Sequence, residues 1–133
     1  MNGDDLFGPK STIIDLKAKD RWEAIDELIE HLIATGRIEA KDRDAIAEAV
    51  KIRERKHSMG IGYGIALPHA ECEFVREVVA AVGRSRNGAH FDSIDGKLVH
   101  TVCLFLVPTG RFQEHVNTLA NIAKQLPRIV RER

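Results

Sequence analysis

Apolar side chains between residues 20 and 36 recur every three or four positions, which is the spacing of one face of an α-helix. The members of this stripe are Trp22, Ile25, Leu28, Ile29, Leu32 and Ile33. Asp20 followed three positions later by Glu23 is a capping-box pattern, and Gly36 suits the C-terminal end of a helix. We therefore predict a first helix that begins at Asp20, ends near Thr35 and buries this stripe in the core.

A second helix is predicted from about Lys41 to about Arg55. The residues predicted on its buried side are Ala45, Ile46, Ala49, Val50 and Ile52. Its last turn is basic, which suits the negative C-terminal end of the helix dipole. The same turn brings Arg53 directly into the glycine-rich stretch that follows.

Four apolar runs predict strands. They span residues 12–16, 65–67, 78–82 and 98–107. The last run is almost continuously apolar, as in a strand covered on both faces, so Cys103 and His100 within it are interpreted as structural. Asn87-Gly88 is a strong turn signal after the third run.

A third helix is predicted from about Gln113, with His115 in its first turn. Its apolar residues are Val116, Leu119, Ala120, Ile122, Ala123 and Leu126. Helices that alternate with buried strands indicate a layered α/β fold, with a mixed sheet flanked by helices.

Length and composition favour one ordinary globular domain. The chain has 133 residues, of which 44% are hydrophobic, and its 20 basic and 20 acidic residues give no formal net charge. We therefore expect no general attraction to nucleic acid or anionic membranes. Residues 1–10 are expected to be a loose lead-in without an apolar signal segment, and no run is long enough to span a bilayer. These features predict a cytoplasmic protein.

The stretch from Ser58 to Ala70 carries the candidate chemistry. Gly60, Gly62 and Gly64 alternate along it, a short apolar strand follows, and Pro68 then places His69 where that strand is expected to stop. A flexible loop beside an imidazole suggests a site for a small anionic group. A simple turn and a surface histidine are the structural alternatives.

Known phosphate-binding and metal-binding motifs do not describe this stretch. The third glycine comes one residue too early for the dinucleotide fingerprint, the loop leads into a strand, and no phosphate-loop Gly-Lys-Ser/Thr occurs. Cys72 and Cys103 form no C-x-x-C motif. A metal-dependent hydrolase that uses His69, Cys72 and His115 stays an alternative, but three or four clustered ligands are needed and we predict neither metal nor cofactor.

The residues from Arg53 to His69 support a family resemblance. Arg53-Glu54, four further residues and then Met-Gly-Ile-Gly-Tyr-Gly-Ile-Ala-Leu-Pro-His closely resemble the active-site signature of fructose–mannitol-type enzyme IIA domains. These domains belong to the bacterial phosphoenolpyruvate:sugar phosphotransferase system, and the group includes a nitrogen-regulatory branch. Residues 92–107 and the His115 helix also resemble the family. The resemblance implies one type-2 IIA domain over residues 1–133, with the mannitol-type IIA fold.

The resemblance also implies roles for individual residues. His69 would accept a phosphoryl group from the histidine phosphocarrier protein and pass it to a cysteine of an enzyme IIB. His115 would lie beside His69 to orient it or to donate a hydrogen bond, and Arg53 would contact the phosphate. Ser58 and the three glycines of the loop, Gly60, Gly62 and Gly64, are predicted to surround the phosphate oxygens.

The chain departs from the family pattern at a few positions. Met59 stands where relatives often have a hydroxyl residue, Tyr63 where a small polar residue is common, and Glu71 where a basic residue is common. The helical segment that usually ends the domain is expected to be short or missing after Arg133.

Two phosphate-dependent functions remain open from the sequence. One is sugar-linked phosphoryl transfer. The other is a regulatory binding module, in which phosphorylation of His69 controls a transporter or sensor protein through a local change of charge. A homo-oligomer is compatible with either function.

Overall fold

The computed structural model describes residues 14–58, 60–111 and 113. Within these ranges six strands form one sheet, and two α-helices pack against it. The strands are β1 (Ile14–Asp15), β2 (Gly60–Gly62), β3 (Ile65–Ala66), β4 (His69–Cys72), β5 (Val79–Ala89) and β6 (Val99–Pro108). The helices are α1 (Arg21–Ala34) and α2 (Arg43–Lys56), and a 3₁₀ turn (Ala40–Asp42) leads into α2. The predicted third helix, with His115, lies outside the described residues.

The sheet is mixed, as predicted, and β6 lies at its centre. Its main path is β1-β5-β6-β3-β2, in which β5 is antiparallel to β6 and β3 is parallel to it. β4 also pairs with β6 in parallel, so β3 and β4 lie end to end along one side of β6. The core side chains of β6 are buried from Val102 onward, which agrees with the continuous apolar run.

A two-residue interruption separates β3 from β4. Pro68 has no N–H to donate, but its carbonyl oxygen accepts a 2.9 Å hydrogen bond from the N–H of Phe105. Strand pairing then resumes at once, with His69 opposite Phe105. The expectation that pairing ends at His69 is therefore wrong, because His69 is the first residue of β4.

The first helix forms as the apolar stripe predicts. The Asp20 carboxylate accepts a 2.9 Å hydrogen bond from the N–H of Glu23, which caps α1. The Glu23 carboxylate accepts from the N–H of Lys19, one residue earlier than in a standard capping box. The chain leaves the helix through Gly36 at φ +75°, where a side chain would be strained.

The buried side of α2 differs from the prediction at two positions. Ala45 and Ile52 were predicted to be buried, but Ala45 is exposed and the side chain of Ile52 is 41% exposed, so the prediction is wrong for both. The buried residues are Ile46, Val50 and Glu54, which recur every fourth position along one face. Glu54 thus extends the buried face of α2 at a position that was not among the residues predicted to be buried.

The glycine-rich stretch is a hairpin and not a free loop. β2 pairs antiparallel with β3, and the turn between them has positive φ at Gly62, Tyr63 and Gly64. Tyr63 is the non-glycine residue of this turn, at φ +58°, and its side chain is almost fully exposed. The carboxylate of Asp95 accepts a 3.2 Å hydrogen bond from the Tyr63 N–H, which helps to hold this costly conformation.

β5 is longer than predicted and contains a large bulge. Arg84 lies opposite Thr101 and Ala89 opposite Val99, so five steps along β5 match only two along β6. The turn predicted at Asn87-Gly88 is this bulge, and the strand continues beyond it.

Two hydrogen bonds shape the bulge. The ring Nδ1 of His100 lies 2.9 Å from the carbonyl oxygen of Ser85, and the Gly88 N–H donates to the Ser85 hydroxyl at 3.0 Å. Gly88 adopts φ +86°, and a Cβ there would approach Leu98 to 2.8 Å. His100 is therefore structural, as predicted. None of the described helices is both long and apolar enough to cross a membrane.

Candidate functional site

His69 opens β4 at a place where its ring is half-buried. Side chains alternate along this strand, so Ala70 and Cys72 face the core while His69 and Glu71 share the opposite face. The pairing with β6 fixes the backbone on which the imidazole stands.

The protonation of the His69 ring follows from its hydrogen bond. Nδ1 lies 3.0 Å from the carbonyl oxygen of Leu67, two residues earlier in the chain. A carbonyl oxygen can only accept, so Nδ1 carries the proton in this contact. In the neutral ring the lone pair is then on Nε2, which makes Nε2 the nucleophilic atom.

The surroundings of His69 favour this neutral form. Burial lowers the pKa of His69 below its ordinary value, and the positive charge of Arg53 lowers it further. The hydrogen bond to Leu67 and the negative charge of Glu54 act in the opposite direction and are outweighed. At neutral pH the ring is therefore mostly uncharged.

The C-terminal turn of α2 brings Arg53 to this face of the sheet. Its guanidinium Nη2 lies 3.8 Å from a carboxylate oxygen of Glu71, two residues after His69. The Glu71 carboxylate also accepts a hydrogen bond from the N–H of Gly110. Glu71 thus holds the Arg53 guanidinium on the face of the strand that carries His69. This contact gives a role to Glu71, which stands where a basic residue is common in the family that the sequence resembles.

Glu54, whose negative charge acts on the pKa of His69, is a residue of the candidate site that the sequence analysis missed. Its side chain is completely buried, and its carboxylate pairs with the guanidinium of Arg21 at 3.1 Å. Arg21 in turn lies over the Trp22 ring, 4.4 Å from its centroid. The fourfold spacing from Ile46 and Val50 was the signal for its burial, but an acidic residue there looks solvated until a partner is known.

The predicted phosphate-loop residues do not all lie in one place. Ser58 and Gly60 begin the hairpin, where the Gly60 N–H donates to the Ser58 hydroxyl at 3.4 Å. Because β2 runs antiparallel to β3, this end of the hairpin faces the end of β3 that leads to His69. Gly62 and Gly64 lie at the turn, where the closest side chains are those of Asp95 and His100. Their predicted contact with phosphate stays a prediction.

The described residues include no cluster of three histidine, cysteine or acidic side chains that could hold a metal ion. Cys72 is buried, and its sulfur accepts a hydrogen bond from the Phe74 N–H at 3.4 Å. Burial also raises the pKa of the Cys103 thiol well above its ordinary value. Both thiols are therefore poor nucleophiles and poor ligands.

Replacing Arg53 with glutamine should raise the pKa of His69, because a nearby positive charge is removed. The ring titration can be followed by NMR, with Arg55→Gln as the control. Arg55 lies in the same helical turn and loses the same charge, but it pairs with Glu48. An equal shift in both variants, or a lower pKa in Arg53→Gln, would contradict the assignment.

The same titration affects stability. Since the pKa of His69 is lowered in the folded state, the unfolded chain binds more protons near pH 6.5. The free energy of unfolding should therefore decrease as the pH falls through about 6.5. In Arg53→Gln the pKa of His69 lies closer to its unfolded value, so the contribution of His69 to this decrease in the free energy of unfolding should be smaller.

Comparison with known proteins gives a consistent family signal. Residues 5–128 match the family model described as phosphoenolpyruvate-dependent sugar phosphotransferase system, EIIA 2. The fructose-specific EIIABC component of Bacillus subtilis (strain 168) is 35% identical over 120 residues, which cover 90% of this chain but 19% of that protein. A nitrogen regulatory protein of Bradyrhizobium diazoefficiens is 29% identical over 122 residues, which cover 92% of this chain and 78% of that protein.

A solved structure supports the fold. The nitrogen regulatory protein IIA-Ntr of Neisseria meningitidis superposes with a TM-score of 0.73 at 26% sequence identity, covering 86% of this chain and 77% of that one. This likeness confirms the predicted fold class, a mixed sheet flanked by helices.

Proposed function

The chain belongs to the EIIA type 2 family of the phosphoenolpyruvate-dependent sugar phosphotransferase system, and from this premise we propose that it carries a phosphoryl group on His69. The group would come from the histidine phosphocarrier protein and leave to the cysteine of an enzyme IIB. The observation that carries the proposal is the hydrogen bond from Nδ1 of His69 to Leu67, because it leaves the lone pair on Nε2.

The chemistry of the step follows from that contact. The Nε2 lone pair attacks phosphorus, the bond to the donor nitrogen breaks, and the donor imidazole leaves with the electron pair. Positive charge develops on the His69 ring during the attack. The Nδ1–H bond to the Leu67 carbonyl stabilises this charge, so no base has to remove a proton first.

Arg53 is proposed to stabilise the phosphoryl oxygens. Its distance of 3.8 Å from the Glu71 carboxylate is longer than a direct hydrogen bond, and the side chain is 43% exposed. An arriving dianion therefore competes with the Glu71 carboxylate for this guanidinium at moderate cost. The competition also limits how tightly the phosphoryl group is held, which suits a carrier that has to release it.

Ser58 and the backbone of Gly60 are the proposed further contacts, with Gly62 and Gly64 shaping the hairpin that presents them. His115 is proposed to orient the ring or to donate to the phosphoryl group. Its position lies outside the described residues.

The test is stepwise transfer. The protein is incubated with radiolabelled phosphoenolpyruvate, enzyme I and the phosphocarrier, and then with a fructose-type IIB. We expect label on this protein first, and then on the IIB with loss from this protein. Absence of label after the first step would refute the carrier function.

A regulatory role is the second candidate, favoured by the similarity to proteins named nitrogen regulatory. In this case the label would stay on the protein when IIB is added, and phosphorylation would change its affinity for a transporter or sensor protein. Binding measured with phosphorylated protein and with a His69→Gln variant would separate the two functions.

A further inference from the structure

A second charged site lies on the far side of β6 from His69. We propose that the cleft between residues 15–19 and residues 84–88 binds a small soluble molecule that carries two or more phosphate groups. The cleft has a volume of about 400 Å³, within the usual range for sites that hold small ligands. The proposal is independent of phosphoryl transfer at His69.

The cleft concentrates positive charge. Among the described residues that line it are the four cationic side chains of Lys17, Lys19, Arg84 and Arg86 and one carboxylate, that of Asp15, in a chain with zero formal net charge. All four cationic side chains are exposed, and none of them forms an ion pair with the part of the chain that the structure describes. Four like charges in one small cleft repel one another, and a bound polyanion removes that repulsion.

The nearest acidic residues of α1 are already engaged. The Glu27 carboxylate accepts hydrogen bonds from the backbone N–H groups of Lys17 and Ala18, at 3.1 and 2.9 Å. The Glu23 carboxylate accepts from the Lys19 N–H. These carboxylates fix the backbone of residues 17–19 and form no ion pair with Lys17 or Lys19 among the described residues, but they keep their negative charge and offset part of the positive charge near the cleft.

Both walls of the cleft are held in place. At one end the Leu16 N–H donates to the Arg84 carbonyl at 2.8 Å, and at the other the His90 N–H donates to the Lys19 carbonyl at 2.9 Å. Between these bonds the β5 bulge moves away from residues 15–19, and the gap is the cleft. A prearranged cleft spares a ligand part of the entropic cost of ordering its site.

The kind of side chain indicates the kind of ligand. Arg84 and Arg86 both line the cleft and are exposed, with the buried Ser85 between them, and each guanidinium can form a bidentate contact with a phosphate. Two lysines across the cleft supply further positive charge. A diphosphate or triphosphate matches this arrangement better than a single carboxylate does.

The experiment uses inorganic pyrophosphate as the probe, titrated into the full chain in 0.15 M NaCl. NMR should show saturable shifts confined to residues 15–19 and 84–88, and calorimetry should give the affinity. The variant Arg84→Gln/Arg86→Gln should bind at least about tenfold more weakly, because two charge-assisted contacts are lost.

Two controls make the result specific. Lys56→Gln/Arg76→Gln removes the same charge elsewhere and should change the affinity less than about twofold, since distant charges are screened at this salt concentration. His69→Gln should bind pyrophosphate as the unchanged chain does, which separates this proposal from the proposed function.

Other outcomes would overturn the proposal. NMR shifts that do not saturate with pyrophosphate, or an equal loss of affinity in both double variants, would mean that pyrophosphate interacts only with the overall charge of the protein and has no specific site. Binding to vesicles that contain phosphatidylglycerol without binding to pyrophosphate would identify a membrane surface instead of a soluble ligand.

Discussion

Phosphoenolpyruvate-dependent labelling is expected to fall by at least roughly three orders of magnitude in His69→Gln, because the variant has no nucleophilic nitrogen at this position. Glutamine preserves the size of the side chain, and its amide N–H can replace the donor to the Leu67 carbonyl. The measurement is the initial rate of label incorporation from the phosphorylated phosphocarrier.

The control for this variant is His90→Gln. His90 is exposed, and its backbone forms hydrogen bonds with the backbone of Lys19 and Arg21. This variant should be labelled at the original rate. Both proteins should unfold at similar denaturant concentrations, since His69 is half-buried and the glutamine amide can keep the hydrogen bond to the Leu67 carbonyl. Undiminished labelling of a folded His69→Gln protein would assign the phosphoryl group to another residue.

The second large effect is expected on stability, in Arg21→Met. The change removes one charged partner of Glu54, whose carboxylate is fully buried, and with it the 3.1 Å contact to the guanidinium. Breaking a buried pair in this way costs about 3 kcal/mol in free energy of unfolding. Urea denaturation of the two proteins measures the difference.

A double variant distinguishes the lost pair from lost packing. In Arg21→Met/Glu54→Leu the buried carboxylate is removed together with its partner, so most of the lost stability should return. The pair of Arg55 and Glu48 serves as an exposed control, because each side chain is more than half exposed. Arg55→Met should lower the free energy of unfolding by less than about 1 kcal/mol. If Arg21→Met and Arg55→Met have equal effects, Glu54 does not depend on Arg21.

The elements that the sequence predicted best are those whose signals are local. The stripe and capping residues of α1 and the apolar run of β6 depend on side chains close together in the chain, and both elements form as expected. The motif that ends at His69 predicted a site with His69 and Arg53, and the structure brings Arg53 to the face of β4 that carries His69, while the roles of both residues stay predictions.

The features that were missed depend on partners far away in the chain. Glu54 is buried where Arg21, 33 residues earlier, supplies a counter-charge. The strand character of Gly60–Gly62 depends on pairing with β3, and the bulge in β5 depends on a contact with His100. Periodicity and turn preferences describe neighbours in sequence, so they contain no information on such contacts.

The attachment of His69 to a paired strand has a mechanical consequence. Its backbone is paired with β6, and its ring is hydrogen-bonded to the Leu67 carbonyl, so the imidazole cannot move far from its position in the sheet. If His69 carries a phosphoryl group as proposed, the donor protein and the acceptor protein cannot both be bound at His69 at the same time. The two proteins would have to bind one after the other. The rate at which the donor dissociates would then set an upper limit on the rate of turnover.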